Sequence, residues 1–234
     1  MKRARIAFRG RDLWGEVIGN DTSLRLPGGM LVPLAQAQWL PPLLPNAGVF
    51  ALDTALGCVG SLDLSRSQPP VLLKAYENFV GHDGDVPCAS RTGAKASCEL
   101  VVVIGATAKA VTKEHALDYI SGYTIACDYA VPDTDDAATS IGPWIVDARD
   151  IADPAALTLC ASVNGQEIHR DTIANRATGI ASLIAYLSAL TTLRVGDMIL
   201  TGAAHPAYPV KSTDTVECEI EGIGRLTSHL VAAS

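Results

Sequence analysis

Glu99-Leu-Val-Val-Val-Ile104 and, a little further on, Tyr123-Thr-Ile-Ala-Cys-Asp-Tyr129 are the two stretches that decide how this chain folds. The first is β-branched and almost unbroken in its apolar character, as expected of a strand buried on both faces. The second has the same character up to Cys127 and meets an acid, Asp128, near its end, just as the first opens on one, Glu99. A carboxylate beside a core is costly when buried unpaired, so each should find a cation, a hydrogen-bond donor or water. On these residues alone, a salt-bridged or solvent-facing strand end accounts for either acid as well as a functional site does.

The flanking sequence continues in short strands. Arg3–Phe8 and Leu13–Ile18 bracket a Gly-Arg-Asp turn, and Pro27-Gly28-Gly29 marks another. Pro41-Pro42-Leu-Leu-Pro45 reads as a linker, because proline disfavours the interiors of helices and strands. A boundary near residue 46 would divide a small N-terminal β subdomain, 1–45, from the remainder, 46–234. Val71–Lys74 is a short strand and Gly81–Gly93 a polar, turn-rich loop. Thr112 is placed to cap a short helix reaching about Ser121, with Glu114 in its first turn. Trp144–Val146, Leu157–Val163, Met198–Thr201 and Thr215–Ile220 are further strands, and Asn164-Gly165 is a strong hairpin signal. Residues 178–190 form the one convincing amphipathic helix, with Ile180, Leu183, Ile184, Leu187 and Leu190 at helical spacing. Strands outnumber helices without βαβ alternation, which predicts a mixed, β-rich α+β fold with few helices.

Composition narrows the function. Of 234 residues, 48% are hydrophobic and 18% charged, which excludes disorder for the bulk of the chain. Eighteen Lys and Arg against 25 Asp and Glu give a net charge of −7 with no basic stripe, so no nucleic-acid partner is expected. Leu100–Ile104 is far shorter than the ~20 apolar residues of a spanning helix, so no membrane partner is expected either. Met1-Lys-Arg-Ala-Arg5 is basic, but no apolar segment follows it as a secretory signal would require. Six cysteines without a CxxC pair read as reduced, mostly buried thiols of a cytoplasmic protein, and their spacing suggests no zinc site. No phosphate loop, dinucleotide fingerprint, nucleophile elbow or zinc-protease motif occurs. His82 and His205 lie in loop sequence, where a solvated imidazole is the plainer reading.

Taken together, Cys98-Glu-Leu-Val-Val-Val-Ile-Gly105, Ala116-Leu-Asp-Tyr-Ile-Ser-Gly-Tyr-Thr124, Cys127-Asp-Tyr-Ala130 and Gly142-Pro-Trp-Ile-Val146 resemble the fumarylacetoacetate hydrolase superfamily. Val163-Asn-Gly-Gln166, Leu183-Ile-Ala-Tyr-Leu-Ser188, Gly196-Asp-Met-Ile-Leu-Thr-Gly202 and Glu219-Ile-Glu-Gly-Ile-Gly-Arg-Leu226 extend the likeness to the C-terminal region. Trp39-Leu-Pro-Pro-Leu43 and Phe50-Ala-Leu52 resemble the homoprotocatechuate branch, which holds the 2-hydroxyhepta-2,4-diene-1,7-dioate isomerases and the 5-carboxymethyl-2-oxo-hex-3-ene-1,7-dioate decarboxylases. The resemblance implies a β-roll or sandwich of that family. It also implies a Mg²⁺ or Mn²⁺ held by a Glu-x-Glu pair and an aspartate, the two glutamates pointing the same way because they lie two apart on a strand. Glu99 matches the second glutamate and Asp128 the aspartate, while Ser97 stands in the place of the first.

By the same resemblance Lys74 and Thr201 are the catalytic candidates, and Lys74, Gly202 and Tyr129 the substrate-binding ones. Other family positions have changed. Asp53-Thr-Ala-Leu-Gly-Cys-Val-Gly60 carries no proton-transfer histidine, Pro132-Asp133 replaces an Arg-Asp pair, and the segment that supplies a lysine is abridged to Thr134–Thr139. Thr201-Gly-Ala-Ala204 has lost the second threonine of its loop. The implied function is a metal-dependent isomerase/decarboxylase subunit for dicarboxylic 2-oxo acids of homoprotocatechuate (4-hydroxyphenylacetate) catabolism. The alternatives are a pseudoenzyme paired with an active paralogue, favoured by Ser97 and the missing histidine, and an acylpyruvate-type hydrolase. The expected assembly is a homodimer or a heteromer with a paralogous subunit. Two lines lead there: the family likeness, and a scarcity of helices to cover strands such as Leu100–Ile104. The alternating acids Glu217, Glu219 and Glu221 are read as surface.

Overall fold

Apolar runs too long to leave one face in water force this chain into layers, and the computed structural model shows which layers cover which. It describes residues 1–52, 71–88, 93–130, 138–175, 179–203 and 207–232. The N-terminal strands are β1 (Lys2–Phe8), β2 (Arg11–Ile18), β3 (Ser23–Arg25), β4 (Leu31–Pro33) and β5 (Gln38–Leu40). Then come β6 (Val49–Leu52), β7 (Val71–Lys74), β8 (Phe79–Val80), β9 (Gly84–Cys88) and β10 (Ala94–Ile104). The central hairpins are β11 (Ile120–Ala130), β12 (Ala138–Asp147), β13 (Thr158–Val163) and β14 (Gln166–Thr172). Helix α1 (Ile180–Leu190) precedes β15 (Met198–Leu200), β16 (Tyr208–Val210), β17 (Thr215–Ile220) and β18 (Gly224–Ala232). Thirteen strands form one sheet, whose main path runs β4-β3-β2-β1-β12-β11-β10-β15-β6-β7, and five form a second, β14-β13-β17-β18-β9.

Successive side chains of β10 serve different cores. Cys98, Leu100, Val102 and Ile104 face a large cluster that includes Val216, Leu226 and Leu230 of the second sheet and Leu183, Ile184 and Leu187 of α1. Val101 and Val103 face a smaller cluster with Leu43, Val49, Ile141, Met198 and Leu200. Both faces of the central strands are therefore covered within one chain, so the packing argument for a second copy falls away. Val163 pairs with Gln166, leaving Asn164 and Gly165 as a two-residue turn with φ of 52° and 78°, the left-handed backbone that favours these residues. Strands on either side of residue 46 share the large sheet, since β1 pairs with both β2 and β12.

Several expectations need correction. Gly84–Cys88, read as loop, is an edge strand pairing in parallel with β18 and burying Val86 and Cys88. Its composition hides it because Pro87 cannot donate to a ladder, a defect only an edge tolerates. The helix expected from Thr112 is a 3₁₀ turn at Ala116–Tyr119, with Ile120 already in β11. Within that turn only Ala116 is buried, too little apolar surface to offset the cost of helix nucleation. Pro41–Pro45 is packed rather than free, because Leu43 is buried and its carbonyl accepts from Arg5. Finally, Cys98 and Cys218 are joined in a disulfide across the two sheets, with a Cα–Cα distance of 5.8 Å. Residues 120 apart in sequence meet only through sheet packing, which spacing along the chain does not reveal. Cys88, Cys127 and Cys160 are free, and burial pushes the Cys127 thiol up to about 12. No helix among the described residues is long and apolar enough to cross a membrane.

Candidate active site

Strand register brings the candidate ligands together. Ser97 lies directly opposite Asp128 in the β10–β11 ladder, and Glu99 is two residues along the same strand. Residues opposite or two apart share a face, so Ser97, Glu99 and Asp128 all lie on the side of the sheet that carries the smaller core. Asp128 is also opposite Thr139 on β12, which places a third strand at the same end of the site.

The acids are held by specific donors. Asp128 Oδ1 accepts from Lys74 Nζ at 2.7 Å and from Thr139 Oγ1 at 2.7 Å. Lys74 is no surface lysine, since its side chain is only 11% exposed. Its strand is fixed by pairing with β6, where Val49 is opposite Lys74. The chain just beyond is fixed as well, because Arg5 Nη1 donates to Tyr76 Oη at 2.7 Å. Glu99 is buried, and its Oε2 accepts from the Gly202 amide at 2.8 Å. Gly202 has a φ of +80°, a conformation that turns the chain after β15 and that other residues reach only with strain.

Two candidates act differently from expectation. The Thr201 hydroxyl donates to the Leu100 carbonyl at 2.8 Å, and its amide donates to the same oxygen. Its proton is thus spent on the sheet, and Thr201 anchors the loop that carries the Gly202 amide to Glu99. Tyr129, expected to bind substrate, lies on the opposite face of β11 from Asp128, 1% exposed in the large core. Alternation along the strand imposes this: one position past an outward-facing acid, the side chain must turn inward. Its phenol neighbours Cys127 and Ser228, and burial holds its ionisation well above the ordinary tyrosine range.

Sequence reasoning missed Thr139 and Tyr76. The signal for Thr139 was available in principle, since Thr139-Ser140 interrupts an otherwise apolar strand facing Asp128. That for Tyr76 was not, because only the fold brings it to Arg5. The changed family positions at 53–60 and 132–137, together with His205, lie outside the described residues. His82 is half-buried rather than solvated: its Nδ1 accepts from the Thr227 amide at 3.0 Å, and its ring stands edge-on to Trp39. Glu217 and Glu219 pair with Arg225 on the surface, as expected.

The donor set suits a hard cation. Two carboxylates and a hydroxyl lie on one sheet face, and oxygen donors of this kind are what Mg²⁺ and Mn²⁺ prefer. Among the described residues neither Glu99 nor Asp128 belongs to a metal-sized group of three such ligands, so a cation here would be held by few charges and would complete its shell with water or substrate. The sulfur atoms of Cys98, Cys127 and Cys218 also lie within 4.8 Å of one another, but the disulfide leaves only one thiol there.

Comparison with known proteins identifies the family and the fold. Residues 59–231 match the family model of the fumarylacetoacetate (FAA) hydrolase C-terminal domain. A 4-hydroxyphenylacetate degradation bifunctional isomerase/decarboxylase from Salmonella dublin is 39% identical over 178 residues, 70% of this chain and 42% of that protein. The chain thus spans less than half the length of that relative. A 2-hydroxyhepta-2,4-diene-1,7-dioate isomerase from Mycobacterium marinum superposes with a TM-score of 0.85 at 27% identity, covering 100% of this chain and 99% of the other. The maleylpyruvate hydrolase of Sphingobium sp. SYK-6, solved with manganese(II) and pyruvate, has the same fold at a TM-score of 0.85 and 23% identity, each chain covered in full (100%).

Proposed function

The chain belongs to the fumarylacetoacetate hydrolase family, and from that premise we propose that it is an isomerase/decarboxylase subunit acting on dicarboxylic 2-oxo acids of 4-hydroxyphenylacetate breakdown. The observation that carries the reading is the Lys74–Asp128 ion pair at 2.7 Å, on the same sheet face as the buried Glu99. The names of relatives near 40% identity support the reaction class.

Decarboxylating or isomerising a 2-oxo acid builds negative charge on the 2-oxo oxygen, and a site accelerates the step by placing positive charge or donors there beforehand. Lys74 is the described ammonium at this site, and its 2.7 Å pairing with Asp128 keeps it positioned beside the place where that charge develops. A Mg²⁺ or Mn²⁺ bound by Glu99 and Asp128, with Ser97 as a neutral neighbour, would supply further positive charge to the same oxygen. The Gly202 amide holds Glu99 in place for this, and Thr201 holds Gly202. The limited exposure of Lys74 and Glu99 restricts water, which strengthens each of these interactions.

Ser97 favours a second reading, a pseudoenzyme that pairs with an active paralogue, because it removes one charged ligand. Oxaloacetate, the simplest dicarboxylic 2-oxo acid, separates the two. As a catalyst, the protein with Mn²⁺ should release CO₂ faster than Mn²⁺ alone. Asp128→Ala should remove the excess, and Lys74→Ala should cost about 10- to 1,000-fold, the scale for losing one electrostatic stabiliser. No excess over metal alone, for oxaloacetate or for the longer dicarboxylic intermediates, decides for the pseudoenzyme.

A further inference from the structure

Asp128 is held by one oxygen. Lys74 Nζ and Thr139 Oγ1 both donate to Oδ1, and no group among the described residues donates to Oδ2. The two donors differ in stiffness. Lysine reaches Oδ1 along a four-carbon stem with many rotamers, whereas threonine is β-branched and restricted at χ1. Thr139 is 0% exposed, and its strand is hydrogen-bonded on both sides, with Asp128 of β11 and Phe79 of β8 as its partners.

A hydroxyl at this place needs a reason. Ala126 and Ile141, which share the face of Thr139, belong to the smaller apolar core, where valine would fill the same volume without a polar group to satisfy. Among the described residues, the one side-chain acceptor of the Thr139 hydroxyl is the Asp128 carboxylate. We propose that Thr139 is a positioning residue that fixes the rotation of the Asp128 carboxylate, so that Oδ2 stays available to a cation or a substrate group while Oδ1 is occupied. This rests on the reading of Asp128 as a ligand in the site.

Mn²⁺ titration of the full chain, followed by the electron-spin signal of free Mn²⁺, tests both ideas separately. Thr139→Val keeps the shape and removes the hydroxyl, and should weaken Mn²⁺ binding about tenfold, the scale for a hydrogen bond to a charged group. Thr139→Ser restores the hydroxyl and should recover most of that loss, while Asp128→Ala should abolish binding. Wild-type affinity in Thr139→Val, with binding lost in Asp128→Ala, overturns the positioning role and leaves the site intact. Loss in both the valine and serine variants makes Thr139 a packing residue and also overturns the proposal. Unchanged affinity in Asp128→Ala removes the site itself, and the positioning role with it. Thermal midpoints of all three variants show whether each is folded when titrated.

Discussion

Replacing Ser97 by glutamate should tighten Mn²⁺ binding by more than an order of magnitude. Position 97 is directly across from Asp128 and on the same face as Glu99, so a longer carboxylate there reaches the cation the other two would hold. Ser97 is only half-buried, so the water-like end of the dielectric range applies. Two unit charges about 4 Å apart interact by about 1 kcal/mol in water, and a divalent cation doubles that to about 2 kcal/mol. At about 1.4 kcal/mol per decade this is roughly 30-fold in affinity. Repulsion between the new carboxylate and the existing acids is present with and without metal, so it largely cancels in the binding constant. It appears instead as a lower melting temperature in chelator. The assay is a Mn²⁺ titration of wild type, Ser97→Glu and the neutral isostere Ser97→Gln, each melted with and without metal. Equal affinity in wild type and Ser97→Glu, or equal tightening by glutamine, would show that position 97 does not face a cation bound by Glu99 and Asp128.

Two other perturbations test the scaffold. Burial lowers the His82 pKa below its ordinary value near 6.5, the Asp83 charge opposing this and His229 adding to it. The unfolded chain then binds the proton more readily, so the contribution of His82 to stability is complete above about pH 6.5 and is lost as pH falls towards its folded-state value. The loss of melting temperature between pH 7 and 5 should be smaller in His82→Asn, and an identical pH profile in the two proteins would refute this. The Cys98–Cys218 bridge closes a loop of 120 residues, which by chain entropy contributes up to about 5 kcal/mol. Unreduced, denatured protein should therefore show two fewer alkylatable thiols than reduced protein, and Cys218→Ala should lower the urea midpoint. Equal thiol counts would show that the bridge does not form in solution.

Much of the site was legible before the fold was known, for a simple reason. Glu99 and Asp128 interrupt apolar strands, and an interruption of that kind demands a partner whatever the fold. Ser97 and Glu99 lie two apart, so their common face follows from strand geometry alone. Lys74 was recognisable only by family likeness, since the Val71–Lys74 strand is too short to say what its last residue touches. The surroundings of Thr201 and Tyr129 were not legible, because sequence does not say which carbonyl a hydroxyl will meet or which sheet face a side chain will take. For Tyr129, register with Cys127 and Asp128 decided the matter.

The sequence by itself determined the strand-rich class, the hairpin at Asn164-Gly165, the α1 segment and the need of two strand acids, Glu99 and Asp128, for partners. These are local properties: side-chain period, turn conformation and the cost of an unpaired charge act over a few residues. Tertiary structure decided the rest. It made an edge strand of Gly84–Cys88, joined Cys98 to Cys218 and brought Lys74 and Thr139 to a single oxygen of Asp128. Each of these is a contact between segments far apart in the chain. Such contacts are selected when whole layers bury their apolar faces together, and no single segment encodes that outcome.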